Sequence, residues 1–359
     1  MTVSTLSMNK MTLTTLQTLK RQAGDAMLEY STGRHVDVGL SLGRLTGTSV
    51  SYRVQDTSFD AQLQTNKVIA NKLDQAYDIM GAVSNAADSI SSSLLSAEKY
   101  QQYPQLATSA LEQLQGSLNT SVGGTYVFGG MKADTPPIKD VQGGIEAAKT
   151  KFQDFLTALG KTASQVTDTE MKGFLSDAGY AVPAGTLTPA GTPAPGAGQT
   201  FRFLDTVNDA NWTTNWSNAS SAETFAGVSK SQTVQTSVSA NQDAFRKVTA
   251  AYSMLAAIGG EDLSEAAKKA LTRSAAEILE VGKPGITALR AAVGDRQNVV
   301  TAANTAVTSQ QDIVQKAFND LEGVDQTEAG TRYQNLETQL QAAYTITGRL
   351  QKLSILDYL

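Results

Sequence analysis

The chain has 359 residues and a formal net charge of -5, with no cysteine and a single histidine, His35. Disulfides, thiolate metal sites and cysteine nucleophiles are excluded, and acid–base or zinc chemistry is left with little beyond carboxylates, Lys, Ser and Tyr. No basic patch tracks phosphates, so no nucleic-acid partner is expected. No apolar run reaches the roughly 20 residues of a bilayer span, and Met1 to Leu13 lacks a charged segment followed by an apolar one. Neither a membrane span nor a cleaved signal peptide is expected, which by itself reads as cytoplasmic.

Near the N-terminus apolar residues recur at heptad spacing. Leu6, Leu13 and Met27 form one column, interrupted by Lys20, and Leu16, Ala23 and Tyr30 form the next. So narrow a stripe suits a coiled-coil seam rather than a broad globular core. Ser31-Thr32-Gly33 ends this helix with Gly33 as a left-handed cap, and Gly39, Gly43 and Gly47 predict a loop with short turns. A second helix is expected from about Ser51 to Lys99, on columns Phe59, Asn66, Leu73, Met80, Ala87, Leu94 and Leu63, Ala70, Tyr77, Ser84. Tyr103-Pro104 stops it, and a shorter helix through Leu106, Ala110, Leu114 and Leu118 closes at Gly123-Gly124. The strand-like Thr125-Tyr126-Val127-Phe128 and a turn at Gly129-Gly130 follow.

Composition then shifts to Gly, Pro, Thr and Ser. Residues 182–198 read as a flexible, solvated loop, flanked by a helix from Gly144 to Leu159 and strand-like Thr200 to Leu204. Both tryptophans, Trp212 and Trp216, are expected to form the core of a small inserted domain. Helices return at Asn241–Ile258, Leu263–Val281 and Ile286–Phe318, with breaks at Gly259-Gly260 and Gly282-Lys283-Pro284-Gly285. The last helix, about Thr327 to Leu353, has columns Leu336, Ala343, Leu350 and Tyr333, Leu340, Thr347. The predicted fold is mainly α: a long antiparallel helical rod or coiled coil formed by the N- and C-terminal arms, with a small mixed α/β inserted domain. Pattern alone leaves a self-contained bundle equally open. Neither terminal stripe holds a lone helix in water, so these helices are expected to pair with each other and with neighbouring subunits. The assembly interface is expected at Leu6, Leu13, Leu16, Tyr333, Leu336, Leu340 and Leu350.

A search for chemistry yields little. No phosphate-binding loop, HExxH, GxSxG or dinucleotide fingerprint is present. Gly123-Gly124…Gly129-Gly130 encloses apolar and aromatic residues with no following Lys-Ser/Thr, so it reads as a hairpin. Asp205 with Asp209, and Asp325 with Glu328, are candidate carboxylate pairs, but solvated or capping roles are the ordinary ones for such residues. His35, beside Arg34 and Asp37, reads as satisfied or exposed. Asn211-Trp212-Thr213, Asn215-Trp216-Ser217 and Asn218-Ala219-Ser220 match the N-glycosylation pattern that a polar loop produces by chance. No catalytic residue, metal or cofactor is expected.

Several stretches resemble the bacterial flagellin family, closest to its hook-associated protein 3 branch at the hook–filament junction. Leu16-Gln17-Thr18-Leu19 with Ser31-Thr32-Gly33-Arg34 is similar to the family's first helix and its closing turn. Gly124-Thr125-Tyr126-Val127-Phe128-Gly129-Gly130 with Thr135-Pro136-Pro137, and the end Leu353-Ser354-Ile355-Leu356-Asp357-Tyr358-Leu359, resemble that branch. Arg290…Gly294…Asn298 resembles an element shared by the family. Val36 to Gly43 departs from the usual Asp-Asp-Ala segment, and 134–230 has no matching motif.

The resemblance implies a structural subunit joining hook to filament, with a flagellin filament subunit as the alternative. Its implied partners are identical subunits in a ring, the first hook-associated protein, flagellin and an export chaperone on the C-terminal helix. It implies type III export without cleavage and an extracellular place in the flagellum. The expected domains are 1–45 with 325–359, 46–134 with 231–324, and the insertion 135–230. Two further readings are an appendage protein with an enzymatic insertion, and a translocator or adhesin that binds through the insertion.

Overall fold

The computed structural model describes the backbone of residues 5–94 and 97–356, with side chains throughout except at 5, 6, 8, 9, 97–99 and 350–356. It is mainly helical, with three two-stranded antiparallel sheets among the described residues. In chain order the elements are α1 (Thr5–Thr32), α2 (Val38–Leu42), α3 (Thr46–Leu94) and α4 (Tyr103–Leu118), then β1 (Ser121–Val122), β2 (Thr125–Tyr126), α5 (Val141–Leu159) and α6 (Asp168–Leu175). There follow β3 (Tyr180–Ala181), β4 (Thr200–Phe201), α7 (Asp209–Asn211), β5 (Phe225–Ser229), β6 (Gln232–Gln235), α8 (Asp243–Ile258), α9 (Glu265–Glu322) and α10 (Gln326–Leu356). The chain divides into two compact units, one of residues 1–63 and 305–359 and one of residues 64–304.

In the 64–304 unit the core follows large apolar side chains. On α3 the column Asn66, Leu73, Met80, Ala87 and Leu94 is buried as its heptad spacing predicts. Asn66 is satisfied there, donating to Val228 O at 2.9 Å and Asn304 Oδ1 at 2.7 Å. Residues 248–258 of α8 are all buried, as a stretch that presents apolar or small side chains on every face must be. Around it Phe155 stacks on Phe174 at 4.3 Å, and Trp212 lies beside Trp216 at 6.3 Å. The two indoles are the largest buried side chains, and each finds an acceptor: Trp212 Nε1 on Asn241 Oδ1 and Trp216 Nε1 on Thr206 O. Trp216 lies on α5 where a Cβ at Gly144 would come within 2.5 Å of its ring.

Three local expectations are corrected. The predicted break at Gly282-Lys283-Pro284-Gly285 is absent: α9 runs through it, with Pro284 exposed. An interior proline costs about 3 kcal/mol, but the flanking glycines let α9 press onto α8. A Cβ at Gly282 would be 3.2 Å from Lys247 Cβ, and one at Gly285 would be 2.8 Å from Ala244 Cβ. Gly123-Gly124 does not close a helix; α4 ends at Leu118, and these residues turn the β1–β2 hairpin with φ of 58° and 79°. The low-complexity stretch 182–198 is not a free loop. Val182 and Gly198 continue the β3–β4 pairing, Thr188 N bonds Thr192 O at 2.7 Å, and Gly196 N bonds Ala158 O at 2.9 Å.

Candidate assembly interface

The 1–63/305–359 unit is built from helices with slender stripes. Phe59 on α3 packs with Val307 and Val314 on α9, and Gln311 Nε2 bridges Asp56 and Asp60 at 2.9 and 2.7 Å. In the same unit α1 and α10 pack along one another. The start of α10 lies against the end of α1, because Val324 N donates to Gly33 O at 2.9 Å and Gly330 abuts the Tyr30 ring. The pair is therefore antiparallel.

On α10 Tyr333, Leu336, Leu340, Ala343 and Thr347, from the columns read in the sequence, are partly covered, and Ala329, outside those columns, is buried. On α1 they are Thr12, Leu16, Leu19, Ala23 and Ala26. Leu16 and Ala23 lie on an expected column, but its partner is Thr12–Leu19–Ala26. Leu13 and Met27 are instead each 55% exposed. Small side chains win the seam because they let two helices approach closely, and the bulkier residues flanking Lys20 are turned outward. Leu6 and Leu350, also expected at the interface, have side chains outside the described residues. The hairpin thus turns Met11, Leu13, Met27 and Leu28 outward from α1, and Tyr344 and Ile346 from α10.

A polar clasp closes one end of this seam. Gly33 caps α1 at φ 69°, a conformation glycine adopts without strain. Beyond it, His35 N donates to Glu322 O at 3.0 Å. The Glu29 carboxylate accepts from Val36 N and Arg332 Nη1 and lies 3.3 Å from His35 Nδ1. Glu322, fully buried, accepts from Ser49 Oγ and from Arg53 at 2.5 and 3.2 Å. Burial works to raise its pKa, but the hydrogen bonds from Arg53 and Ser49 outweigh that and hold the carboxyl below the ordinary range. Apart from the Gly33 cap and the contacts of Glu29 with His35 and Val36, these clasp roles show in no local sequence pattern, since Arg332 and Glu322 lie hundreds of positions from their partners.

The Gly124–Gly130 segment lies in the other unit, and its chemistry is architectural. Val127 and Phe128 are buried, and Phe128 meets Phe245 edge-on at 5.7 Å. The backbone of Ser220 and Ala222 crowds Gly130 too closely for any Cβ. The carbonyls of Pro136 and Pro137 accept from Asn218 and Ser217, so the motif ties residues 120–138 to 217–222. Of the element Arg290…Gly294…Asn298, Arg290 lies 4.0 Å over the Tyr77 ring and Gly294 lies beside that ring, while Asn298 is exposed.

Two family profiles match the sequence: the bacterial flagellin N-terminal helical region over residues 3–133 and the bacterial flagellin C-terminal helical region over residues 278–359. Together they take in well over half of the chain, at the ends where that family carries them. The chain belongs to the flagellin family. It is a structural protein of the bacterial flagellum, from a family whose members assemble into polymers. No curated protein matches the sequence. A solved structure from Vibrio parahaemolyticus, provisionally described as a flagellar hook-associated protein, is similar at 12% identity and a TM-score of 0.48, over 77% of this chain and 97% of that one. Of the flagellin-family regions, the N-terminal one takes in α1 to β2 and the C-terminal one the later part of α9 and α10.

The candidate carboxylate pairs in this flagellin-family chain are each separately engaged. Asp205 pairs with Arg202 and Lys151 at 2.7 and 3.4 Å, and Asp209, 93% exposed, pairs with Arg246. Asp325 caps the start of α10 by accepting from Thr327 N and Glu328 N, and Glu328 pairs with Arg332. His35 is half-buried against Glu29. Among the described residues no three metal-ligating side chains converge, and no helix is long and apolar enough to cross a membrane.

Proposed function

We propose that this chain is the flagellar subunit that joins the hook to the filament. The observation that carries an assembly role is the α1–α10 hairpin, whose thin seam leaves Met11, Leu13, Met27, Leu28, Tyr344 and Ile346 turned outward. Large apolar groups kept exposed on paired helices are what neighbouring subunits would cover. The mechanism is coupled folding and assembly: the seam alone recovers little of the conformational entropy of ordering two long helices, and identical neighbours supply the rest. The terminal domain so formed comprises 1–45 and 325–359, beside a helical domain of 46–134 and 231–324 and the insertion 135–230.

The Gly124–Gly130 and Thr135-Pro136-Pro137 segments favour the junction role over the alternative, a filament subunit. In that role one surface meets the first hook-associated protein and another meets flagellin. The C-terminal helix is held by a chaperone before type III export without cleavage. A deletion strain tests the choice. Loss of the junction subunit releases flagellin monomer into the medium, whereas loss of the filament subunit leaves a capped hook and no flagellin. Hydrogen exchange tests the mechanism: in the monomer, amides before Ser31 and after Thr331 exchange faster than those of α8, and full protection there would overturn ordering on assembly.

A further inference from the structure

Within the 1–63/305–359 unit lies a cavity of about 440 Å³ lined by Arg34, Arg53, Asp56, Gln315, Phe318 and Asn319. Two guanidinium groups flank one ring there, Arg34 at 4.8 Å and Arg53 at 4.9 Å from the Phe318 centroid. Their charges are treated differently. Arg53 is held by the buried carboxylate of Glu322. Arg34, on the exposed surface, is hydrogen-bonded to a neutral group, Asn319 Oδ1 at 2.9 Å; its charge also acts on Glu322, but among the described residues no carboxylate lies within ion-pair distance of it. Asp56, the acidic residue of the wall, has its Oδ1 engaged by Gln311 and Gln315, each at 2.9 Å.

We infer that Arg34 receives a carboxylate from a second copy of this chain when subunits assemble. The inference rests on the assembly role proposed above and names the chemistry of one contact in it. A guanidinium held over an aromatic ring and steered by one hydrogen bond has already lost much of its side-chain freedom. Its remaining N–H donors form the planar fork that matches a carboxylate at two points. The cavity gives an aspartate or glutamate side chain room to enter. Asp56 opposes deep entry, which confines the incoming carboxylate to the Arg34 side. The family's polymerisation supplies the occupant, and a chain of net charge -5 offers many carboxylates to it.

The test uses the full chain expressed in the deletion strain, with its amount measured in the medium and in sheared flagella. Wild-type chain in the flagellar fraction upholds the assembly role; its absence from flagella defeats that role independently of Arg34. Given that result, Arg34→Gln is expected to reach the medium normally but fall about tenfold or more in flagella, the loss of one charge-assisted pair. Arg34→Lys, which keeps charge without the fork, should fall between the two. Asp56→Asn should keep or raise incorporation. Arg34→Gln incorporated at the wild-type level overturns the inference. So does its loss from medium and flagella alike, which would place Arg34 in folding, or an Asp56→Asn defect as deep as that of Arg34→Gln, which would mean the cavity takes a cation.

Discussion

The α1–α10 hairpin and the core around α8 are both helical, yet they are held by different means. Around α8 the chain spends its large side chains: two tryptophans, six buried phenylalanines and the Leu73–Leu94 column meet there, and each indole N–H finds an acceptor. In the hairpin the seam is made of Ala, Thr and single leucines, and many large apolar groups face out. The first arrangement is complete within one chain. In the assembly role proposed above, the second is half of an interface. A protein can thus carry a finished core and an unfinished one, and the unfinished one marks where it meets its neighbours.

Mutations at matched depths sharpen or break this contrast. The largest loss is expected from Trp216→Ala, about 3–5 kcal/mol, measured by urea unfolding, because the indole fills the space over Gly144. A loss under 1 kcal/mol would show the core to be looser than its packing implies. Next comes Glu322→Gln in the clasp. Arg53 is half-exposed, so the cost is that of a charged hydrogen bond with one wet partner, about 1–3 kcal/mol. The pH dependence has a definite sign. Glu322 is depressed when folded, so its contribution is fully present above the ordinary glutamate value of 4.5 and is lost as pH falls through its lower folded value. Unfolding followed between neutral pH and acid should show wild type converging on Glu322→Gln; a constant gap would refute the assignment.

Smaller still is Leu340→Ala in the seam, at most about 1 kcal/mol in the monomer for a half-covered leucine on helices completed by assembly, read by hydrogen exchange along α10. The smallest effect on the monomer belongs to Leu13→Ala, within about 0.5 kcal/mol of wild type because the side chain is already exposed. That same substitution should lower incorporation into flagella. If Leu13→Ala destabilised the monomer more than Leu340→Ala, the assignment of inner and outer faces would be reversed.

Legibility in the sequence followed the same divide. The column from Phe59 to Leu94 could be read because apolar residues recur every seven positions, interrupted only by Asn66, and all of them are buried. The α10 columns could be read for the same reason. On α1 the choice of column failed at Leu13 and Met27, because hydrophobicity ranks leucine and methionine above the alanines and threonine that the close-packed seam uses. Pro284 read as a break because a local rule cannot see Ala244 and Lys247 waiting across α8. The loop 182–198 read as free because its hydrogen bonds run across the β3–β4 hairpin and to Ala158. The clasp was invisible for a stricter reason: Arg53 and Glu322 are 269 positions apart, and a charge on a helix gives no hint of its distant partner.

The placement of that clasp gives the hairpin a direction. Register is pinned where Gly33 meets Val324 and Glu29 meets Arg332, while toward the chain's two ends the seam offers alanines, threonines and single leucines that discriminate poorly between neighbouring alignments. Such a pair behaves as a zipper with its stop at one end. It parts from the free ends inward, and its loose teeth can settle into slightly different alignments while the stop holds. In the junction role proposed above, a subunit between differently shaped neighbours would gain compliance there without any change to its core.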